Sequence, residues 1–143
     1  MLLASAICSC SEKQPETTEP MITKTEIQVE NGLLTPEIMH RLGKVGDVQV
    51  SPNHAKILYG VSYTSIEQNK GNRELYLMNV DGSENVKITN TPKSESNARW
   101  INDSQIIYMR SGKLYTATIE GSTLKNETEV AGAECMESFE LSP

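Results

Sequence analysis

Cysteine and histidine are the side chains here most able to do nucleophilic, acid–base or metal chemistry, and the chain has Cys8, Cys10, Cys135, His40 and His54. A structural zinc site needs four such ligands, arranged as two close pairs. Cys8 and Cys10 make one pair, and no second pair follows. They also lie too close in sequence to staple a fold. Cys135 has no sequence neighbour that would activate it, so it reads as a small buried or half-buried thiol. Neither histidine has a serine and an aspartate placed for a triad, and no Gly-x-Ser-x-Gly elbow occurs to expose a nucleophile. A phosphate-cradling glycine loop and a dinucleotide fingerprint are missing as well. The chain carries 19 Asp and Glu against 13 Lys and Arg, a formal charge of −6. The carboxylates read as a solvated acidic surface rather than a catalytic pair. The scattered basic residues exclude a nucleic-acid partner, which would require clustered Lys and Arg. No catalytic, cofactor-binding or metal-ligating residue is therefore assigned.

Cys10 keeps one other chemical role. Residues 1–10, MLLASAICSC, are apolar and end in small residues, but are too short to span a bilayer, which takes about 20 residues. They read as the end of a secretory signal. Ile7-Cys8-Ser9-Cys10 resembles a bacterial lipoprotein box, which implies lipid attachment at Cys10 and membrane anchoring in the cell envelope, on the periplasmic side. Residues 11–32 are rich in Glu, Thr, Pro, Gln and Lys without an apolar period, as expected of a flexible linker between membrane and domain.

The elements that must position any site begin at residue 33. Residues 33–43 predict a short helix, with Thr35 as N-cap, Pro36 in the first position and Glu37 in the first turn. Ile38, Met39 and Leu42 form its docking stripe, and Gly43 is its expected left-handed stop. His40 is expected at its surface. From residue 44 to 143 the grammar is that of strands. Val48 to Val50, Ile57 to Val61, Leu75 to Val80 and Val86 to Thr89 are broken by Ser51-Pro52-Asn53, by the polar stretch Thr64 to Asn72, and by the hairpin signal Asp81-Gly82. The order then returns. Ala98 to Trp100 answers the first strand, Ile106 to Tyr108 the second, Leu114-Tyr115 the third, and Glu120-Gly121-Ser122 the turn. Phe139 to Pro143 starts a third copy, so Pro52 and Pro143 lie two repeats apart at about 45 residues each. Four strands per repeat, with central strands apolar on both faces, predict an all-β, incomplete β-propeller: about two four-stranded antiparallel blades plus the start of a third. A β-sandwich does not explain turns that recur in register.

The unit VQVSPNHAKILYG with RELYLMNVDGSENVKIT resembles the TolB-like, or WD40-like, repeat of bacterial envelope proteins. It departs from that repeat at Asn53-His54, where Asp-Gly is usual, and at Asn102, which replaces the second repeat's proline. Over Leu34 to Trp100, the leader LTPEIMHRLGKVGDVQVSP and the segment NKGNRELYLMNVDGS are similar to the start of prolyl oligopeptidase-family serine peptidases. The similarity is to the acylaminoacyl-peptidase and dipeptidyl-peptidase-like members of Bacteroidetes-type bacteria. The resemblance implies an N-terminal fragment whose propeller gates peptide access to a following α/β-hydrolase domain bearing a Ser-Asp-His triad. Peptides would be the substrates, reached through the full-length enzyme, with no cofactor. The alternative is a non-enzymatic TolB-like propeller lipoprotein that binds an envelope protein partner.

Overall fold

The computed structural model describes residues 20–133 and 137–141, and in it two four-stranded antiparallel sheets follow one another along the chain. The first sheet is β1 (Lys44–Val50), β2 (Lys56–Ser65), β3 (Lys70–Asn79) and β4 (Val86–Lys87). The second is β5 (Glu95–Trp100), β6 (Gln105–Arg110), β7 (Lys113–Glu120) and β8 (Thr123–Glu129). In each sheet spatial order equals chain order, the simplest arrangement that short turns permit.

The turns explain the order. Ser51 Oγ accepts from Lys56 N at 2.9 Å, and Asn53 Oδ1 accepts from Ala55 N at 3.1 Å, which folds the chain back after β1. In the second sheet Asn102 does this alone, accepting from Ser104 N at 3.0 Å and Gln105 N at 2.9 Å. At Asp81-Gly82 the glycine takes φ 85°, and Asp81 Oδ1 accepts from Ser83 N at 2.9 Å. The β6–β7 hairpin closes on Ser111 and Gly112, both left-handed at φ 52° and 73°, as a tight two-residue turn requires.

Two irregularities recur at matching positions. In β1, Asp47 and Val48 together oppose one residue of β2, Tyr59; in β5, Asn97 and Ala98 oppose Tyr108 of β6. Both bulge residues are left-handed, Asp47 at φ 52° and Asn97 at φ 55°, a conformation that Asp and Asn tolerate better than other side chains. Across the next strand, Tyr59 stacks on Tyr76 with centroids 5.5 Å apart, and Tyr108 on Tyr115 at 6.0 Å. The sheets are thus copies of one unit, as the sequence repeat predicts.

The core lies between them. Leu58, Leu75 and Leu77 of the first sheet pack on Ala98, Trp100, Ile106, Tyr108, Ala117 and Ile119 of the second. Alternation along the strands puts Ile57, Tyr59, Tyr76 and Met78 on the opposite face of the first sheet. Their counterparts in the second sheet, Ile106, Tyr108, Tyr115 and Ala117, are the ones turned toward the core. The back of the first sheet therefore meets the front of the second. Exposure follows from this. Val50 is 49% and Val80 52% exposed, whereas their counterparts Trp100 and Ile119 are 8% and 7%. The back of the second sheet, Ile107, Met109 and Leu114, is covered in part by Val130, Ala133 and Phe139.

Several expectations change. The helix α1 spans only Pro36–Arg41; Thr35 caps it, its Oγ1 accepting from Ile38 N at 3.3 Å. Met39 and Leu42 are exposed, so the expected docking stripe shrinks to Ile38. Gly43 is no left-handed stop, since the chain leaves α1 extended at Leu42. Its smallness serves a close approach instead: a Cβ there would lie 2.9 Å from the Tyr63 ring. The polar stretch Thr64 to Asn72 is mostly strand, because β2 and β3 stay paired out to Ser65 and Lys70. The segment from Pro20 runs over this end of the first sheet, where its carbonyls at Pro20 and Ile22 accept from Gln68 Nε2 at 3.3 Å and Asn72 Nδ2 at 3.4 Å. Of the third copy, Phe139 carries no strand pairing but its carbonyl accepts from Asn97 Nδ2 at 3.3 Å; Ser142 and Pro143 lie outside the described residues.

Head-to-tail stacking makes matched isoleucines unequal. Ile106→Ala should cost about 2–5 kcal/mol, the usual range for a buried aliphatic truncation, and Ile57→Ala less than half as much. Urea unfolding followed by far-ultraviolet circular dichroism measures both; equal losses would refute the assignment of faces.

Candidate functional site

Of the residues with chemical potential, the structure describes the two histidines, which sit on different elements. His40 sits exposed at the end of α1, and His54 is exposed in the turn after β1 at φ 57°. Cys8, Cys10 and Cys135 lie outside the described residues. Among the described residues no three His, Cys, Asp or Glu side chains come together to hold a metal. A cleft of about 290 Å³ lies between the Met21–Thr25 segment and the β2–β3 hairpin, beside Tyr63, Arg41 and Glu67. Its one hydroxyl–carboxylate contact, Ser65 Oγ donating to Glu67 Oε2 at 2.9 Å, is exposed and closes the β2–β3 turn.

The place where charge is concentrated is the junction between the sheets, and here the reading of the carboxylates as a solvated surface is corrected. Glu74 on β3 is 2% exposed and Glu95 at the start of β5 is fully buried. Burial of two carboxylates is tolerable only with hydrogen-bond donors or countercharges at hand. The connection between β4 and β5 brings the donors. Thr89 Oγ1 donates to Glu74 Oε2 at 2.7 Å, and Thr91 N donates to Glu74 Oε1 at 3.2 Å. Thr91 Oγ1 also donates to Glu95 Oε1 at 2.7 Å. One threonine thus binds a carboxylate from each sheet. Asn72 Nδ2 ties the same connection down through the Thr91 carbonyl at 2.9 Å. Lys87 Nζ stands 4.0 Å from Glu74.

Arg110 supplies the countercharge on the second sheet. Its Nε donates to Glu95 Oε1 at 2.7 Å, and Nη1 and Nη2 donate to Glu127 at 2.6 and 3.0 Å. The guanidinium also lies over the Tyr108 and Tyr115 rings, 5.5 and 5.1 Å from their centroids. Tyr108 donates its hydroxyl to Glu127. Burial, with Glu127 accepting, pushes the Tyr108 hydroxyl far above its ordinary value, and the Arg110 bonds hold Glu127 below the usual carboxylate range. Burial drives Glu95 upward more strongly than the Thr91 and Arg110 bonds pull it down. On the first sheet, burial and the neighbouring Tyr63 raise Tyr76 to about 12.

A second tie crosses the junction at the bulges. Asp47 Oδ2 accepts from Asn97 N at 3.3 Å and lies 2.9 Å from Arg73 Nη2. Arg73 reaches it over Gly46 and Gly60; a Cβ on Gly60 would fall 2.3 Å from Arg73 Nε. Further bonds run from Asn53 N to Asp103 Oδ1 at 2.8 Å and from Lys56 Nζ to the Gly121 carbonyl at 2.8 Å. Sequence reasoning missed Glu74, Glu95 and Arg110. The signal for Glu74 was its place inside the apolar run of β3. For Glu95 and Arg110 the partners come from other strands, and only the fold brings them together.

The class this geometry defines is a repeated, stacked antiparallel β unit whose polar groups serve the junction. No known family profile matches the chain. Two curated proteins are similar to part of it. The dipeptidyl-peptidase 5 of Porphyromonas endodontalis is 31% identical over 97 residues, 68% of this chain and 13% of the relative. The dipeptidyl-peptidase 5 of Porphyromonas gingivalis is 35% identical over 80 residues, 56% of this chain and 12% of the relative. The chain spans about an eighth of the length of the curated relatives it matches. This partial similarity supports a relationship to peptidases.

If Arg110 holds the junction, Arg110→Met should cost about 2–3 kcal/mol, the scale of lost charge-assisted bonds discounted for the partial exposure of Glu127. Lys113→Met, at the exposed pair with Glu129, should cost clearly less, since solvent screens that pair. Denaturant titration of both variants checks the order, and a larger loss at Lys113 would contradict it.

Proposed function

We propose that the two sheets are consecutive blades of a β-propeller which, in the intact protein, gates the access of peptides to an α/β-hydrolase domain of the prolyl oligopeptidase type. The observation that carries this reading is the head-to-tail stacking. The second sheet covers the first with the same face that the first leaves open, and a unit that stacks this way repeats rather than terminates. The partial similarity to two dipeptidyl-peptidases supports the choice of peptides as substrate. In this reading the region supplies no reacting group. The catalytic serine, base and acid belong to the hydrolase domain, and the propeller excludes folded proteins by size.

Two measurements test the reading. Purified 143-residue chain should release no product from dipeptidyl arylamides, since its sequence holds no Gly-x-Ser-x-Gly elbow to present a serine nucleophile. The gene read past codon 143 should encode further copies of the repeat and then a Gly-x-Ser-x-Gly elbow. A stop after the repeats alone would reject the peptidase reading in favour of a propeller that only binds an envelope partner.

The same proposal places the protein in the bacterial envelope, on the periplasmic side, through an acyl chain on Cys10. Each buried methylene of such a chain adds about 0.8 kcal/mol of membrane affinity. Cys10→Ser in cells should therefore move the protein from the membrane to the soluble fraction, with Cys8→Ser as the control. Unaltered membrane association of Cys10→Ser would reject the anchor.

A further inference from the structure

Two glycines of the chain follow an asparagine or an aspartate: Gly32 after Asn31 and Gly82 after Asp81. In each pair the glycine nitrogen can attack the preceding side-chain carbonyl carbon and close a cyclic succinimide. Glycine permits the attack because it carries no Cβ to block the approach. Every other asparagine of the chain precedes a residue with a side chain.

The fold treats the two pairs differently. Asp81-Gly82 is clamped on both sides. Gly82 N donates to the Asn79 carbonyl and Asn79 N to the Ser83 carbonyl, both at 2.9 Å. Asp81 Oδ1 accepts from Ser83 N at 2.9 Å and from Ser83 Oγ at 2.6 Å. The attacking nitrogen and the carboxylate are thus both committed. Asn31-Gly32 lies in a 3-10 turn, Glu30–Gly32, with no buried residue, closed by the bond from Leu33 N to the Glu30 carbonyl at 3.2 Å. A Cβ on Gly32 would meet nothing within 4 Å. Asn31 holds φ 55° and ψ 20°, which turns the Gly32 nitrogen away from its side chain. Ring closure needs rotation out of that left-handed well. The well is the less favoured one for a residue with a Cβ, so the turn's closing bond is what resists the rotation.

We propose that Asn31 is a site of spontaneous deamidation in the folded chain, and that Asp81 is protected from the equivalent isomerisation. The Gly32 nitrogen gives its proton to solvent base and bonds to the Asn31 side-chain carbonyl carbon. The bond from that carbon to Nδ2 breaks, and ammonia leaves. Water then opens the ring at either carbonyl, giving aspartate or isoaspartate, so the balance needs water alone. Either product adds a negative charge at residue 31, and isoaspartate also adds a methylene to the main chain. The site lies beyond the leader's attachments at Pro20 and Ile22 and ahead of α1. The reaction therefore changes the entry to the domain and leaves both sheets intact.

Ageing the purified 143-residue chain in mildly alkaline buffer, followed by tryptic mass spectrometry, tests this with no variant needed. The free peptide 25–41 sets the timescale. Once that peptide has converted, the 25–41 fragment of the aged protein should carry aspartate and isoaspartate at position 31, and the 74–87 fragment should hold Asp81 unchanged. An intact Asn31 at that time, or isoaspartate at 81 to the same extent, overturns the proposal. In guanidinium chloride, where the clamp is lost, Asp81 should begin to convert; an Asp81 equally inert there rejects the clamp as the cause. Gly32→Val puts a branched side chain beside the attacking nitrogen and should suppress conversion over the same period, and conversion at the wild-type rate rejects the route through Gly32. Denaturant midpoints of fresh and aged wild type should coincide. A midpoint that falls in step with conversion contradicts the placement of residue 31 outside the packed sheets.

Discussion

A β-sheet that is apolar on both faces must be covered twice, and the rest of this molecule follows from that constraint. The first sheet turns Leu58, Leu75 and Leu77 one way and Ile57, Tyr59, Tyr76 and Met78 the other. A two-layer sandwich would pair one face of each sheet and leave the outer faces polar. Here the outer faces are apolar as well. The buried contact joins unlike faces, so it is heterologous, and a heterologous contact between copies closes into a ring or runs on as an open array. Val50 and Val80 are exposed where Trp100 and Ile119 are buried because, among the described residues, only the second of two equivalent sheets has a sheet packed on its front.

Apolar contact alone fixes no register, since it is non-directional. Direction comes from polar groups at the edges of the contact. Near β1 and β5 the left-handed bulge puts Asp47 under the amide of Asn97, and Arg73 reaches Asp47 only because Gly46 and Gly60 lack side chains. At the connection, Thr91 binds Glu74 and Glu95 together. The turns are tied through Asn53 and Asp103. These contacts come from different elements and meet one interface at several separated points, which sets an angle as well as a distance.

Much of the fold was legible in the sequence, because strand and turn chemistry is local. Asp81-Gly82 and Ser51-Pro52-Asn53 mark turns through bonds made within five residues of themselves. The return of Ile-Ile-Tyr after Ile-Leu-Tyr marked the repeat, and it proved to include the cross-strand tyrosine stacks. The paired stretch around Thr64 and Asn72 was read as an excursion because its side chains are polar. Gly43 looked like a helix stop because closeness to Tyr63 leaves no trace in sequence. The junction was the least legible part. Glu95 stands in ESNARW as an ordinary polar residue, and its burial depends on Arg110 and Thr91, neither of which pairs with it by any sequence period.

The placement of that network suggests what this region contributes to a larger molecule. Each bond across the junction contributes only about 1 kcal/mol net, more where a charge takes part. In a repeated array, however, an error in the angle between neighbours recurs at every step. A tie that holds one sheet at a defined rotation to the next therefore matters more to the shape of the whole than to the stability of the pair. Carboxylates, which are costly to bury, suit that task better than further leucines, because an unmatched carboxylate penalises every wrong angle while an apolar contact tolerates many. Control of that angle is what a repeated array needs from its polar groups, and the buried carboxylates Glu74 and Glu95 lie where it is exercised, between the sheets.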